Sequence, residues 1–288
     1  RRWRGVRWAS RSTSPGTLKT MTFPAPKIDS YALVTGASQG IGEAMARDLA
    51  AAGYNLIIVA RRENVLMELA HELSDAHGVN VEVVAADLAK ERDVDALLAH
   101  IATRKVTLCV NSAGIASFGP FMRQDWGYET NQYNLNSTAV FRITKAVLDQ
   151  MVPRGEGALC NVGSAAGNIP IPNNATYVFT KAGVNAFTEA LHFELKDSGV
   201  HCTLLAPGPV RDAYIPEEEQ SIVDKVVPDF LWTTYDSCAR DTLRAMRANK
   251  RRVVPGPLSK AMDVVSTYGP RGVIAPLVGS FYAKMGEE

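Results

Sequence analysis

The stretch Thr35-Gly36-Ala37-Ser38-Gln39-Gly40-Ile41-Gly42 decides how the rest of this 288-residue chain is read. The apolar run Ala32–Val34 leads into it, and the helical pattern Ile41–Ala52 starts inside it. Glycines at 36, 40 and 42 permit a tight turn and a close backbone approach. The helix start then offers free N–H groups and a positive dipole end to a phosphate. The spacing is G-x-x-x-G-x-G, not G-x-G-x-x-G. A bare need for small residues where a helix packs on its strand is the plainer reading. The strand before and the helix after favour the phosphate loop.

Working outward, short runs rich in Val, Ile and Leu recur at Asn55–Ala60, Val81–Ala85, Thr107–Val110, Gly157–Val162, His201–Leu205 and Arg252–Val254. Runs of this kind read as strands buried on both faces. Helical patterns lie between them at Glu63–Ala76, Glu91–Thr103, a long one ending near Met151, and Tyr177–Ser198. The alternation predicts a single α/β domain, a Rossmann-type doubly wound parallel sheet of about seven strands flanked by helices. The expected organisation is a basic, disordered extension over 1–27, a catalytic domain over 28–255, and a C-terminal helical extension over 256–288. Residues 208–232, with three prolines and Glu217-Glu218-Glu219, read as a long loop.

Composition limits the function. Hydrophobic residues make up 46% and charged residues 21%, values that exclude a disordered or fibrous chain. The formal net charge is +1, but Arg1, Arg2, Arg4, Arg7, Arg11, Lys19 and Lys27 all precede residue 28 and no acid accompanies them. The body is therefore net acidic, and we expect no nucleic-acid partner. No apolar run is long enough for a spanning helix, so no membrane partner is expected either. Cys109, Cys160, Cys202 and Cys238 show no metal-ligand spacing. They read as reduced, buried thiols of a cytoplasmic protein, and no metal is expected. Residues 1–20 read as an upstream extension ahead of Met21, with an Arg-rich organelle transit peptide as the second reading.

Further motifs sit at strand ends. Arg61-Arg62 follows Ala60, where a dinucleotide fold meets the adenosine ribose. An acid there suits a 2′-hydroxyl, whereas Arg suits a 2′-phosphate. This favours NADP(H) over NAD(H), with Arg61 the better candidate. Asp87-Leu88 closes the third strand, where Asp87 suits either an adenine amino group or an N-cap. Tyr177 and Lys181 lie four apart on one helical face. An ammonium beside a phenol favours phenolate and brings a tyrosine toward the range of useful acid–base catalysis. Ser164, just after the fifth strand, sits at the carboxyl edge where ligands bind in such sheets.

With these pieces in order, the sequence resembles the short-chain dehydrogenase/reductase family. The resemblance rests on Thr35–Gly42, Asp87, Asn111-Ser112-Ala113-Gly114, Asn136, Ser164, Tyr177-x-x-x-Lys181 and Pro207-Gly208. It spans residues 31 to 210, and the general pattern reaches about 255. It implies an NADP(H)-dependent oxidoreductase that interconverts a ketone or aldehyde and an alcohol. Tyr177 is implied as general acid or base, and Lys181 as the group that holds the nicotinamide ribose and depresses the Tyr177 pKa. Ser164 would polarise the carbonyl, and Asn136, preferred over the neighbouring Asn134, would hold a relay water. Gly36, Ser38, Gly40, Ile41, Gly42, Arg61, Arg62, Asp87, Leu88, Asn111, Ala113, Gly114, Pro207, Gly208 and Val210 are implied cofactor contacts, with Tyr177 and Lys181.

Two positions depart from the family pattern. Ser112 replaces the second Asn of N-N-A-G, and Asp212 stands where many members carry Thr. The residues expected around the substrate (Ile115, Phe118, Phe121, Ile169, Ile171, Tyr214, Ile215, Phe230 and Trp232) are mostly apolar and predict an apolar or aromatic carbonyl. The family pattern also implies a homodimer or homotetramer through the two long helices. An NADP(H)-binding sensor without turnover is the alternative function.

Overall fold

The computed structural model describes residues 22–211 and 232–276. Seven parallel strands form one sheet in the order β3-β2-β1-β4-β5-β6-β9. They are β1 (Tyr31–Thr35), β2 (Asn55–Ala60), β3 (Val81–Ala85), β4 (Val106–Asn111), β5 (Gly157–Val162), β6 (Val200–Leu205) and β9 (Arg252–Val253). The order reverses between β1 and β4, which opens a crevice at the carboxyl ends of the central strands, the usual ligand position of such sheets. Every residue of β4, β5 and β6 is buried, which is why these strands are mostly apolar instead of alternating, with Thr107, Asn111, Asn161, His201 and Thr203 as buried polar exceptions.

Helices cover both faces. Helices α1 (Gly40–Ala51) and α2 (Glu63–His77) build one core with Val34, Leu56, Ile58 and Cys160. Helix α7 (Tyr235–Arg247) completes that layer through Cys238, Ala239 and Met246. The other core joins Leu33, Ile57, Cys109 and Leu159 to α3 (Glu91–Ala102) and α5 (Val140–Arg154). Helix α6 (Ala175–Glu194) packs beside them on β6.

The long helical pattern ending near Met151 is built in three parts. These are α4 (Trp126–Tyr133), a π-helical segment Asn134–Ala139, and α5. Periodicity alone does not show the π segment, because it changes one turn and leaves the apolar face intact. Such turns often mark functional positions. A parallel pair, β7 (Val210–Arg211) with β8 (Thr233–Thr234), also lies outside the apolar pattern, being too short to carry one. A further helix, α8 (Pro257–Tyr268), packs on the 3₁₀ turn Ala165–Asn168 that follows Ser164.

Within the expected extension 1–27, Phe23 packs on the first core, and the Tyr54 hydroxyl donates to the Pro24 carbonyl at 2.5 Å. Residues 1–21, and with them both readings of that segment, lie outside the described residues. All four cysteines are free and buried, which raises each thiol pKa above its ordinary value. Among the described residues no helix is long and apolar enough to cross a membrane, and no group of three or more His, Cys, Asp or Glu could hold a metal ion.

Candidate active site

A cleft of about 450 Å³ lies at the carboxyl ends of the central strands. Of the cofactor contacts expected from sequence, all but Gly42 and Asn111 line it. The glycine loop forms one end. Gly36 has φ +70°, and a Cβ there would lie 2.9 Å from the Ala113 backbone, so the loop touches the turn after β4. Gly40, with φ +63°, opens α1 in a conformation side chains disfavour. Gly42 has a packing task instead, since a Cβ there would meet the Gly36 carbonyl oxygen at 2.3 Å. This cradle of backbone at a helix start fits a dinucleotide pyrophosphate.

The two arginines divide their work. Arg62 Nη2 donates to the Ser38 carbonyl at 2.9 Å, to Ser38 Oγ at 3.1 Å and to Gln39 Oε1 at 2.6 Å, stapling the loop to the start of α2. Arg61 is exposed at the cleft margin and makes no hydrogen bond or ion pair with another described residue. Asp87 lines the cleft while its Oδ1 accepts from the Ala89 N–H at 3.1 Å in an Asx turn; it is not the N-cap of α3, a position held by Lys90.

Asn111 points elsewhere. Its amide donates to Asn161 Oδ1 at 2.9 Å and Thr144 Oγ1 at 3.2 Å inside the protein, and Asn161 in turn donates to Thr188 at 3.0 Å. This buried polar file ties β4 and β5 to α5 and α6. Asn161, Thr144 and Thr188 escape a sequence reading because each is an isolated polar residue in an apolar run. At the Ser112 departure, the N–H groups of Ser112 and Ala113 donate to Thr35 Oγ1 at 3.1 and 3.2 Å, so the turn is anchored without a second Asn.

The structure separates the two asparagines. Asn136 is fully buried, accepts from the Ile115 N–H at 3.0 Å, and donates to the Ile115 carbonyl at 2.8 Å and to Thr180 Oγ1 at 3.2 Å. It sits in the π segment beside the Lys181 ammonium, both close to Gly114. Asn134 instead reaches the Ala89 carbonyl.

Ser164, Tyr177 and Lys181 converge at the other end. Tyr177 and Lys181 line the cleft, and Lys181 Nζ lies 5.7 Å from the Tyr177 ring centroid. Lys181 donates to the Val162 carbonyl at 2.8 Å and is 5% exposed. Burial pulls its pKa down to about 8. Burial also raises the Tyr177 phenol above its ordinary value, while a hydrogen bond with Ser164 acts the other way. In this structure the Lys181 ammonium donates to the Val162 carbonyl.

Ser164 is positioned from behind. Asn185 receives its N–H and donates to its carbonyl, and also donates to Asn168 Oδ1 at 3.3 Å. Asn168 donates to Asp263 Oδ1 at 2.8 Å and Ser266 Oγ at 3.2 Å on α8. Arg252 pairs with Asp263 and with Glu189. The C-terminal helix is thus wired to the serine.

At the substrate end, Ile115 lines the cleft, Ile169 and Ile171 are buried, and Phe121 is half exposed. Phe118 is partly buried. The Arg211 guanidinium stacks on Trp232 at 4.5 Å. Asp212, Tyr214, Ile215 and Phe230 lie outside the described residues. Gln39, Ala116, Leu135 and Tyr235 line the cleft without a motif to announce them.

A doubly wound parallel sheet with a glycine cradle and a Ser–Tyr–Lys cluster at its carboxyl edge defines a Rossmann-type oxidoreductase. The family described as short chain dehydrogenase matches residues 30–221, and the chain belongs to that family. It is 33% identical over 180 residues to the very-long-chain 3-oxoacyl-CoA reductase of Anas platyrhynchos, covering 61% of this chain and 58% of the relative. It is 38% identical over 181 residues to sulfoacetaldehyde reductase 2 of Chromohalobacter salexigens, covering 61% and 71%. Among solved structures, the short-chain dehydrogenase from Sphingobium yanoikuyae in complex with NADPH matches with a TM-score of 0.69 and 28% identity, over 90% of this chain and 94% of that one. The chain spans less than two thirds of the length of the 3-oxoacyl-CoA reductases it matches.

Proposed function

We propose that the protein is an NADP(H)-dependent reductase of a ketone or aldehyde, working in reverse as an alcohol dehydrogenase. The observation that carries this reading is the convergence of Tyr177, Lys181 and the glycine cradle on one cleft. A bound reduced nicotinamide supplies the hydride. Tyr177 donates the proton that the carbonyl oxygen needs as the alcohol forms, and takes it back in oxidation. Ser164 orients that oxygen. Lys181 holds ribose hydroxyls, and Asn136 fixes the turn at Ile115 and holds a relay water. Arg61 at the cleft margin favours a 2′-phosphate. The two reductases quoted above act by name on very different carbonyls, which supports carbonyl reduction more than any one substrate. Ile115 and the apolar residues around it support an apolar or aromatic carbonyl.

The protein acts as a homodimer or homotetramer through α5 and α6. Exposed aromatic side chains on this side support it: Tyr133 stacks on Phe179 at 5.7 Å, and the exposed Phe141 lies 5.4 Å from the partly buried Phe187. The four free, buried thiols support a cytoplasmic location.

The test combines binding and turnover. NADPH and NADH are titrated, then a panel of ketones and aldehydes is followed by NADPH absorbance, with Tyr177→Phe as control. Preferred NADPH binding with turnover lost in the variant is expected. Turnover retained by Tyr177→Phe would overturn the assignment of the acid.

A further inference from the structure

We propose that Tyr235 belongs to the dinucleotide site, where its ring walls the pyrophosphate end of the cleft beside Gly40. The proposal rests on the nicotinamide-dinucleotide reading above. Tyr235 lines the same cleft as Gly36 and Gly40. Its ring carbons lie 3.5 to 3.9 Å from the point a Cβ on Gly40 would occupy. Gly40 is the first residue of α1, where the backbone N–H groups point outward.

The ring is held there by elements other than the glycine loop. Val210 pairs with Thr233 and Arg211 with Thr234, which returns the chain to the cleft beside Pro207 and Gly208. Thr233 Oγ1 donates to the Pro255 carbonyl at 3.3 Å. Thr234 Oγ1 accepts from the Ser237 N–H at 3.2 Å and caps α7, so Tyr235 is the first helical residue. Helix α7 packs along α1, and Tyr235 is partly buried against the first core. One part of the ring therefore rests on the core, and another faces the cleft.

That placement has a physical consequence. An aromatic wall excludes water from one side of the phosphate oxygens. In the lower local dielectric, the N–H groups and dipole of the α1 start attract the phosphate charge more strongly than they do in open solvent. The ring carries the effect.

The test uses the full chain and two probes. NADPH carries the pyrophosphate, and adenosine 2′-monophosphate carries the adenosine and the 2′-phosphate without either phosphate of the pyrophosphate. Dissociation constants are measured by calorimetry for the parent, Tyr235→Ala, Tyr235→Phe and Tyr235→Leu. Tyr235→Ala is expected to weaken NADPH about tenfold, which is about 1.4 kcal/mol. Tyr235→Phe stays within about twofold of the parent, and adenosine 2′-monophosphate changes by less than about twofold in every variant. Should Tyr235→Ala not fold, Tyr235→Leu keeps the bulk without the planar ring and is expected to lose about threefold or more. Unchanged NADPH affinity in the Ala or Leu variant overturns the proposal. So does an equal loss for both probes, which would make Tyr235 a packing residue between α7 and α1. A parent that binds neither NADPH nor NADH overturns the dinucleotide reading itself, an outcome distinct from a parent that binds and a variant that binds equally well.

Discussion

Asn185 holds Ser164 by both of its backbone groups, accepting from its N–H at 3.3 Å and donating to its carbonyl at 2.9 Å. Ser164 is therefore fixed by a side chain one turn beyond Lys181 on the same helix. Asn185→Ala leaves the buried Ser164 N–H unpaired, while the Ser164 carbonyl keeps the Gly167 N–H at 3.1 Å. A loss of about 1–3 kcal/mol is expected in urea unfolding, the cost of one orphaned group. Gly163→Ala should act alike, because a Cβ at 163 would lie 2.0 Å from Asn185 Oδ1 and displace that amide. A Gly163→Ala protein as stable as the parent would show that Asn185 is free to move aside.

The glycine cradle gives a sharper prediction for binding than for folding. Gly36→Ala meets a positive φ and the Ala113 backbone together. Gly42→Ala pushes α1 off the Gly36 carbonyl. Each is expected to weaken NADPH by about tenfold or more, about 1.4 kcal/mol. Fluorescence titration checks this, with unfolding curves run alongside to separate lost affinity from lost fold.

The arginines should part company. Arg61→Ala removes an exposed, unengaged charge at the cleft margin, so NADPH affinity falls and NADH affinity holds. Arg62→Ala releases Ser38 and Gln39 from the loop, so both cofactors weaken together. Measuring both dissociation constants for both variants decides it. The opposite pattern would move the 2′-phosphate contact from Arg61 to Arg62.

Lys181 makes stability depend on pH. Its folded pKa, about 8, lies below the 10.5 of the exposed group. Below pH 8 both states hold the proton, and the fold bears the full cost of a buried charge, roughly 3 kcal/mol at about 1.4 kcal/mol per pH unit. Between about 8 and 10.5 the unfolded chain binds more protons, so this contribution makes stability rise with pH. In Lys181→Met the contribution is absent. The stability of the variant relative to the parent should be greatest at pH 7 and decline through pH 9.5 and beyond, by urea unfolding. A difference independent of pH would place the ammonium in contact with water.

The sequence by itself determined the sheet and the chemical cast. The runs at 55–60 and 157–162 coincide with β2 and β5, because strands buried along most of their length are mostly apolar, and the run at 81–85 coincides with the partly buried edge strand β3. The glycine spacing and the strand-end positions of Ser164 and Arg61 were legible because backbone geometry and sheet topology act on local sequence. Tertiary structure decided what depends on partners distant in the chain. It bonded Asn136 to Ile115 and Thr180. It turned Asn111 inward to Asn161, set Asn185 and Asn168 behind Ser164, and brought Tyr235 to Gly40. Isolated polar or aromatic residues carry no period, and their roles exist only once packing fixes which atoms lie within a hydrogen bond of one another.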